Sequence, residues 1–560
     1  MQPDAPLPPR SRIRSFFALF SRPAASRTLT VLAGLYLFVA LVFPNVVTRL
    51  TPLGFLRIPV EGAFLIALLM TPPRARRVVG IAVGVVLGWL IIEKCLDMGF
   101  FSELNRPFDP VLDWVLFDDA YSFVVDSYGR AAAVGAIAAI VLLVAAIMAL
   151  TTWATLRVGR LVGAHQRRSL VAAGGVAVAW AATFALGASF NGTVPVAARS
   201  TATYAWDRAH QAQAGFADAA NFKKEVAADA YAGVAPDKML TALKGKDVIF
   251  TFVESYGRSA VEHPALAPIV DPVLDAGTVS LRKAGYGSQS GWLTSPTFGG
   301  GSWLAHSTFE SGLWINNEQR YRNLVASNRL TLTRAFKNAS YKTVSVMPGA
   351  TRAWPEGSFY GYDAVWDSRN LGYQGPKFSW APMPDQYTLK QLNTVEYKKP
   401  GRQPLMIEMP LVSSHTPWAP IPDYLDDWDS IGDGSVYASM VADGKKPKAL
   451  WANPRDVRPE YGKSIVYSVT SLVNWVIKYG DDNLVLVFLG DHQPSPIASG
   501  AGASHDVPIS IVTKDRAVLD RIADWKWADG LHPKGDTPVW PMNAFRDRFF
   551  TAFGPKVAAS

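Results

Sequence analysis

Residues 248–253 read Val248-Ile249-Phe250-Thr251-Phe252-Val253 and run straight into Glu254-Ser255-Tyr256-Gly257. The run is too short for a helix, has no 3.6-residue period, and is built from β-branched and aromatic residues, so it reads as a strand buried on both faces. Two further stretches repeat the pattern. Leu484–Leu489 leads into Gly490-Asp491-His492, and Leu405–Val412 leads into Ser413-Ser414-His415. Tyr341–Met347 and Val507–Thr513 are also β-rich, and helical patterns cover 328–338 and 459–479. Strands alternating with helices predict an α/β domain with a mostly parallel central sheet over residues 245–555. In such sheets ligands gather beyond the carboxyl ends of the strands. There this sequence places Glu254, the Asp491–His492 pair and His415.

Carboxylates with imidazole suit a divalent ion such as Mn²⁺, Zn²⁺ or Mg²⁺. Taken singly, each has an ordinary reading as a turn or helix-cap residue; arriving together at one sheet edge, they read as a metal site. The glycine-rich segment 285–312 supplies a partner. Gly299-Gly300-Gly301 precede Ser302, and Trp303, Leu304, Ser307 and Phe309 begin a helical pattern. A helix N-terminus offers free N–H groups to a phosphate or sulfate, and a serine beside a metal becomes a usable nucleophile. The competing readings are Ser302 as a plain N-cap and Thr297 as the nucleophile.

The first half of the chain has a different texture. Mean hydropathy is +0.10 despite 18% charged residues, because apolar runs crowd before residue 190. Five stretches, 28–47, 54–71, 78–96, 131–154 and 169–190, have about the length needed to cross ~30 Å of hydrocarbon, the second being interrupted by Arg57, Pro59 and Glu61. They predict a five-helix transmembrane bundle over 28–190. The net charge of +9 comes from Arg clusters flanking these runs: Arg10, Arg12, Arg14, Arg22 and Arg27; Arg74, Arg76 and Arg77; Arg157, Arg160, Arg167 and Arg168. Loop 97–130 is instead Asp-rich and aromatic. Positive residues mark the cytoplasmic side, so residues 1–27 are expected in the cytoplasm of a multi-pass plasma-membrane protein. Five crossings would put everything after 190 outside. No separate basic patch with interleaved aromatics points to nucleic acid. Residues 191–244, helical around 200–232, read as a linker. The single cysteine, Cys95, excludes an intrachain disulfide and a Cys-based zinc site.

Taken together, these residues resemble the lipoteichoic acid synthase and phosphoethanolamine transferase branch of the alkaline phosphatase (sulfatase) superfamily. The resemblance spans nearly the whole chain: membrane spans, linker and outer domain. It implies that Glu254 of Glu254-Ser255 and Asp491 and His492 of Gly490-Asp491-His492 are metal ligands. Ser302 stands at the spacing of the family's nucleophilic Thr and would be the fourth ligand. His415-Thr416-Pro417 matches the family's substrate-binding His, and His505-Asp506-Val507-Pro508 is similar to a later one with one residue inserted. Ser302 to Ser311-Gly312 keeps the length of the sulfatase signature, but Leu304 and His306 replace its Pro and Arg, which disfavours a formylglycine enzyme. Trp354 matches the family's Trp that stands near a head-group-gripping Arg before Gly361-Tyr362-Asp363; the Arg itself is missing, and Arg352 stands on the other side. Trp354, Arg352 and His306 are therefore the substrate-binding candidates, and Ser302, His415 and His505 the catalytic ones. The implied activity is transfer of a phosphoryl-linked head group from a membrane phospholipid to a cell-envelope glycan or glycolipid through a phospho-serine. The alternatives are a membrane-anchored sulfatase, phosphatase or phosphodiesterase, and a non-catalytic envelope-binding module. A transporter has no evident ion path, since few charges lie within the apolar runs.

Overall fold

A computed structural model describes residues 23–555. The arginines at positions 10, 12, 14 and 22 lie outside them. Two compact units form. One takes the chain to Phe101 together with Arg106–Val111 and Tyr128–Ala214; the other takes Ser102–Asn105, Leu112–Ser127 and everything from Gly215.

In the first unit, four helices among the described residues are long and apolar enough to cross a membrane. They start at Ala25, Pro73, Arg130 and Gln166 and end at Val42, Leu104, Ala164 and Ala185. The expectation of five full-length spans is not met. Within 54–71 the helix is only Val60–Leu68, nine residues, which rises about 14 Å against the ~30 Å of a bilayer core. Pro59, which stands just before this helix, leaves the chain extended (φ −80°, ψ 121°), and residues 58–59 pair with Ala197–Ala198 instead. Helix Pro73–Leu104 packs on Arg130–Ala164 through a stripe of small residues, Gly80, Gly84 and Gly88, which face Leu156, Thr152 and Met148. A Cβ at Gly84 would come within 2.6 Å of the Thr152 Cα. Bare glycine thus sets how closely the two helices approach, as small residues do in lipid-embedded bundles.

The second unit is built on a nine-stranded sheet. In chain order the strands are β1 (Asp247–Val253), β2 (Gly287–Thr294), β3 (Lys342–Met347), β4 (Ala364–Asp367), β5 (Leu405–Leu411), β6 (Leu484–Gly490), β7 (Asp506–Thr513), β8 (Ala528–Asp529) and β9 (Val539–Pro541). Their spatial order is β8-β2-β7-β6-β1-β5-β3-β4, with β9 on β2. The run β6-β1-β5-β3-β4 is parallel; β7 pairs antiparallel with β6, and β2 antiparallel with β7, so β2 runs in the direction of the parallel strands. All seven residues of β1, β5 and β6 are buried. Alternation sends Ile249 and Val253 into one core with Leu274, Ile465 and Leu472, and Val248, Phe250 and Phe252 into another with Phe309, Phe336 and Phe549. Helices cover both faces, so the strands carry no polar alternation. Strand β2, Gly-Ser-Gln-Ser-Gly-Trp-Leu-Thr, and the short β4, β8 and β9 have no counterpart in the sequence reading. Ser200–Ala227 is a single helix, in the region read as the linker.

Because β1 and β6 are adjacent and in register (Val253 beside Gly490), Glu254 and Asp491 emerge at the same edge. The approach is tight at Gly490, where a Cβ would lie 1.8 Å from the Tyr256 carbonyl oxygen. A backbone atom cannot swing aside as a side chain can. Gly490→Ala is therefore expected to destabilise the second unit by about 3 kcal/mol or more, read as a fall in the midpoint of thermal or urea unfolding of the full chain.

Candidate active site

Glu254, Asp491 and His492 bring one ligand atom each to within 4.8 Å of one another, all three buried. Local backbone geometry aims them. Ser255, one residue past β1, takes φ +57°, a left-handed conformation uncommon for a residue with a Cβ. Its N–H donates to Asp491 Oδ1 at 2.7 Å, and the His492 N–H donates to the same oxygen at 2.7 Å. Asp491 Oδ1 is thereby saturated, whereas Oδ2 is buried without a hydrogen-bond partner. His492 Nδ1 lies 2.8 Å from the Gln493 carbonyl. Only a protonated Nδ1 can make that bond, so in the neutral ring Nε2 carries the lone pair, 3.4 Å from Glu254 Oε1 and 3.7 Å from Asp491 Oδ2.

Burial and the neighbouring Glu254 charge push Asp491 up to about 6, against the pull of His492. For His492, burial favours the neutral ring, but Asp491 and Glu254 outweigh it and raise its pKa. Two buried carboxylates, an orphaned oxygen and an imidazole with its lone pair turned inward fit a divalent cation, which would settle all of these at once. A proton on Asp491 competes with that cation. Divalent-ion affinity is accordingly expected to weaken as pH falls through about 6, by roughly tenfold per unit below it for each proton displaced; Mn²⁺ and Zn²⁺ titrations of the full chain between pH 5 and 8 measure this.

Ser302 joins the cluster from the other side. Helix Ser302–Ser311 has Gly301 as its N-cap, with φ +80° and no side chain to close the first turn. Ser302 is therefore the first helical residue and not the cap, and its hydroxyl is free for other partners. Its Oγ donates to Glu254 Oε2 at 3.1 Å and lies 3.2 Å from His492 Nε2. The loop before it is pinned to the loop that carries Asp491 and His492 by the Gly299 N–H, which donates to the Gln493 carbonyl at 2.9 Å. Thr297 is buried, 3.5 Å from Ser295 Oγ, and does not line the cavity into which Ser302 opens.

That cavity has a volume of about 700 Å³. Trp303, Tyr321, Trp354, Tyr360, Trp380 and Trp418 form aromatic walls around Glu254 and Ser302. His415 lies on it with its ring stacked on Trp380, centroids 3.7 Å apart. Its Nδ1 is 2.5 Å from the Thr416 carbonyl, and burial lowers its pKa to about 4. His306, one turn beyond Ser302, stacks on Phe252 at 3.9 Å and holds Nδ1 3.5 Å from Glu408 Oε1. Burial lowers its pKa to about 4. Glu408 also accepts from the Tyr362 hydroxyl, and burial raises it to about 7.

Two candidates are placed elsewhere. Arg352 is exposed and does not line the cavity; Arg369 does, 2.5 Å from Asp367. His505 sits beside Phe298, centroids 5.2 Å apart, and is absent from the cavity wall. The sequence reading missed Arg369 and Glu408. Glu408 left a signal, a carboxylate inside an otherwise apolar strand; Arg369 left none.

Residues 281–512 match the sulfatase family model. The match lies wholly within the second unit, which therefore carries a sulfatase-type enzyme domain. Among solved structures it is similar to the lipoteichoic acid synthase LtaP from Listeria monocytogenes, at 15% identity over 61% of this chain and 78% of that one, with a TM-score of 0.36. The zinc complex of the C-terminal periplasmic domain of EptC from Escherichia coli shares 14% identity over 56% and 84%, at 0.37. The phosphoglycerol transferase GacH from Streptococcus pyogenes, in complex with sn-glycerol-1-phosphate, shares 12% over 52% and 74%, at 0.32. No curated protein matches the chain.

Proposed function

We propose that this protein moves a phosphoryl-linked head group, such as phosphoglycerol or phosphoethanolamine, from a membrane phospholipid to a hydroxyl of a cell-envelope glycan or glycolipid. The observation that carries the reading is the position of Ser302 Oγ, within 3.2 Å of both Glu254 and His492 at the floor of an aromatic cavity. Glu254, Asp491 and His492 would hold one divalent ion, with Ser302 as the fourth ligand. Such an ion supplies positive charge to a developing oxyanion and favours the serine alkoxide.

The chain's own residues do the rest. Ser302 Oγ bonds to phosphorus as the phosphorus–oxygen bond to diacylglycerol breaks, its proton passing toward the Glu254 carboxylate. The start of helix Ser302–Ser311 faces the phosphoryl oxygens with its first N–H groups. His415 is neutral in the free protein, and a phosphodiester anion beside it favours its charged form. It can then give a proton to the departing lipid alkoxide, and take one from the incoming hydroxyl when the phospho-serine is opened. Trp354 and His306 line the path of the head group. Arg369 is the one Arg or Lys among the described lining residues, which suits a small, nearly neutral head group better than a polyanion.

Membrane residence fits this substrate. We place the second unit on the extracytoplasmic face, with residues 1–27 in the cytoplasm and 54–71 completing the odd number of crossings despite its short helix. The test is full-length protein in vesicles of phosphatidylglycerol and phosphatidylethanolamine with Mn²⁺. Metal-dependent release of diacylglycerol, with the head group recovered on a glycolipid acceptor, supports the transferase. Head group recovered only as free glycerol phosphate or phosphoethanolamine makes the protein a phosphodiesterase. No release from lipid, with turnover of sulfate monoesters, sinks the proposal in favour of a sulfatase.

A further inference from the structure

The first unit holds two cavities that meet at one arginine. One, of about 600 Å³, lies where helix Pro23–Val42 ends and helix Ser200–Ala227 begins, and is walled by Arg49, Arg57, Lys94 and Arg199 with Asp207 as the one carboxylate. The other, of about 670 Å³, runs between Pro23–Val42, Val60–Leu68 and Gln166–Ala185, and is walled by residues such as Leu37, Leu41, Ile66 and Ala179. Arg57 lines both.

The basic cavity keeps an excess of positive charge: its four cations share the wall with Asp207 alone, and the nearby buried Glu61 acts on Arg57 and Lys94 without pairing with either. Among the described residues no carboxylate oxygen lies within 4.0 Å of any of its four cations. Arg57 is held by neutral oxygens: the Pro195 carbonyl at 2.9 Å, Ser200 Oγ at 3.1 Å and the Ala197 carbonyl at 3.5 Å. Lys94 is 2% exposed, and its ammonium donates at 2.9 Å to Thr201 Oγ1, which in turn donates to the Leu41 carbonyl at 2.6 Å. An ammonium so buried, bonded to one hydroxyl, lying 5.6 Å from the Tyr204 ring centroid and paired with no carboxylate, is costly. An anion in the cavity would remove that cost, and hydroxyls of Thr48, Thr51 and Thr203 stand in the same wall.

We infer that the basic cavity binds the phosphate of an anionic phospholipid while the adjoining apolar cleft takes one of its acyl chains. This site is separate from the Ser302 cavity and stands whether or not Ser302 transfers anything. The shared chemistry is a phosphate ester, and the apolar cleft argues for its lipid form over free phosphate: a soluble anion needs no such neighbour. Gly34 and Gly175 border open space in the cleft, where a Cβ at either would meet nothing within 4 Å.

The test uses full-length protein, stripped of lipid in detergent and then offered dioleoylphosphatidylglycerol or inorganic phosphate, with occupancy read by native mass spectrometry. Arg49→Ala with Arg199→Ala removes two exposed side chains and is expected to lower lipid occupancy at least tenfold without changing the melting temperature. Gly175→Leu, which fills the cleft, is expected to lower lipid binding and leave inorganic phosphate binding as it was. Ser302→Ala is expected to bind lipid as the wild type does. Equal lipid occupancy in the wild type and the double arginine variant would overturn the inference. Phosphate binding that the arginine variant loses, with lipid binding that Gly175→Leu leaves intact, would make this a free-anion site and overturn the lipid assignment.

Discussion

Ser302→Ala is expected to lower ester turnover by at least about a thousandfold, the scale on which removing a nucleophile acts, while divalent-ion binding persists. The contrast follows from the geometry. Ser302 Oγ is bonded to Glu254 and His492, but Asp491 reaches the cluster through its own backbone contacts and does not depend on the serine. Three ligand groups therefore survive the substitution. The helix should survive too, because Gly301 and not Ser302 is its N-cap. Intact-mass analysis of the full chain after incubation with Mn²⁺ and phospholipid vesicles is the direct measurement. Wild type is expected to gain an adduct whose mass names the head group, and Ser302→Ala to gain none. An adduct that persists in Ser302→Ala would place the nucleophile elsewhere, against the proposal.

Asp491→Asn is expected to act in opposite directions on metal and on stability. In the metal-free protein Asp491 is a buried carboxylate beside Glu254, pushed from 3.8 up to about 6. A raised acid pKa means that the folded state resists ionisation. Stability is therefore full below the unfolded value, falls as pH rises from about 4 to about 6, and stays low above that. The difference corresponds to roughly 3 kcal/mol at neutral pH. Asn keeps the oxygen that accepts from the Ser255 and His492 N–H groups, and it replaces the orphaned Oδ2 with a donor facing Glu254. Metal-free Asp491→Asn is thus expected to melt above metal-free wild type at pH 7.5, with the gap closing at pH 4. Its stoichiometry for Mn²⁺ or Zn²⁺ should fall from one to near zero, and turnover should go with it. Calorimetry with and without chelator, beside elemental analysis, reads both effects. A variant that melts lower than wild type in the absence of metal at neutral pH would show that Asp491 is no electrostatic burden and would count against a cation there.

Much of the second unit was legible in the sequence because its central strands are buried on both faces. Such strands read as unbroken apolar runs whose ends are marked by the first polar residue, so Val253-Glu254 and Leu489-Gly490-Asp491 announced both the strands and the edge to which they deliver side chains. The glycine run before Ser302 likewise marked a helix start, although which residue capped it depended on the φ of Gly301. Strand β2 was hidden because its composition is that of a loop. Gly291 lies against the Trp527 indole, where a Cβ would be 2.5 Å from Nε1, and Ser290 bonds Ser510 Oγ and the Gly530 carbonyl, both at 2.6 Å. Those partners are more than two hundred residues away, beyond any local pattern.

The sequence by itself determined which residue types meet at the sheet edge, because alternation and burial are written into short runs of neighbours. It also determined that the first half is apolar enough for a membrane. Only the tertiary structure decided the rest. It shortened 54–71 to nine helical residues, since Pro59 and the pairing with Ala197–Ala198 take the chain out of the helix. It brought Arg369 and Glu408 to the cavity in place of Arg352, and gathered Arg49, Arg57, Lys94 and Arg199 around one space. Distances between side chains from distant segments are set by how the elements pack, and no spacing along the chain encodes them.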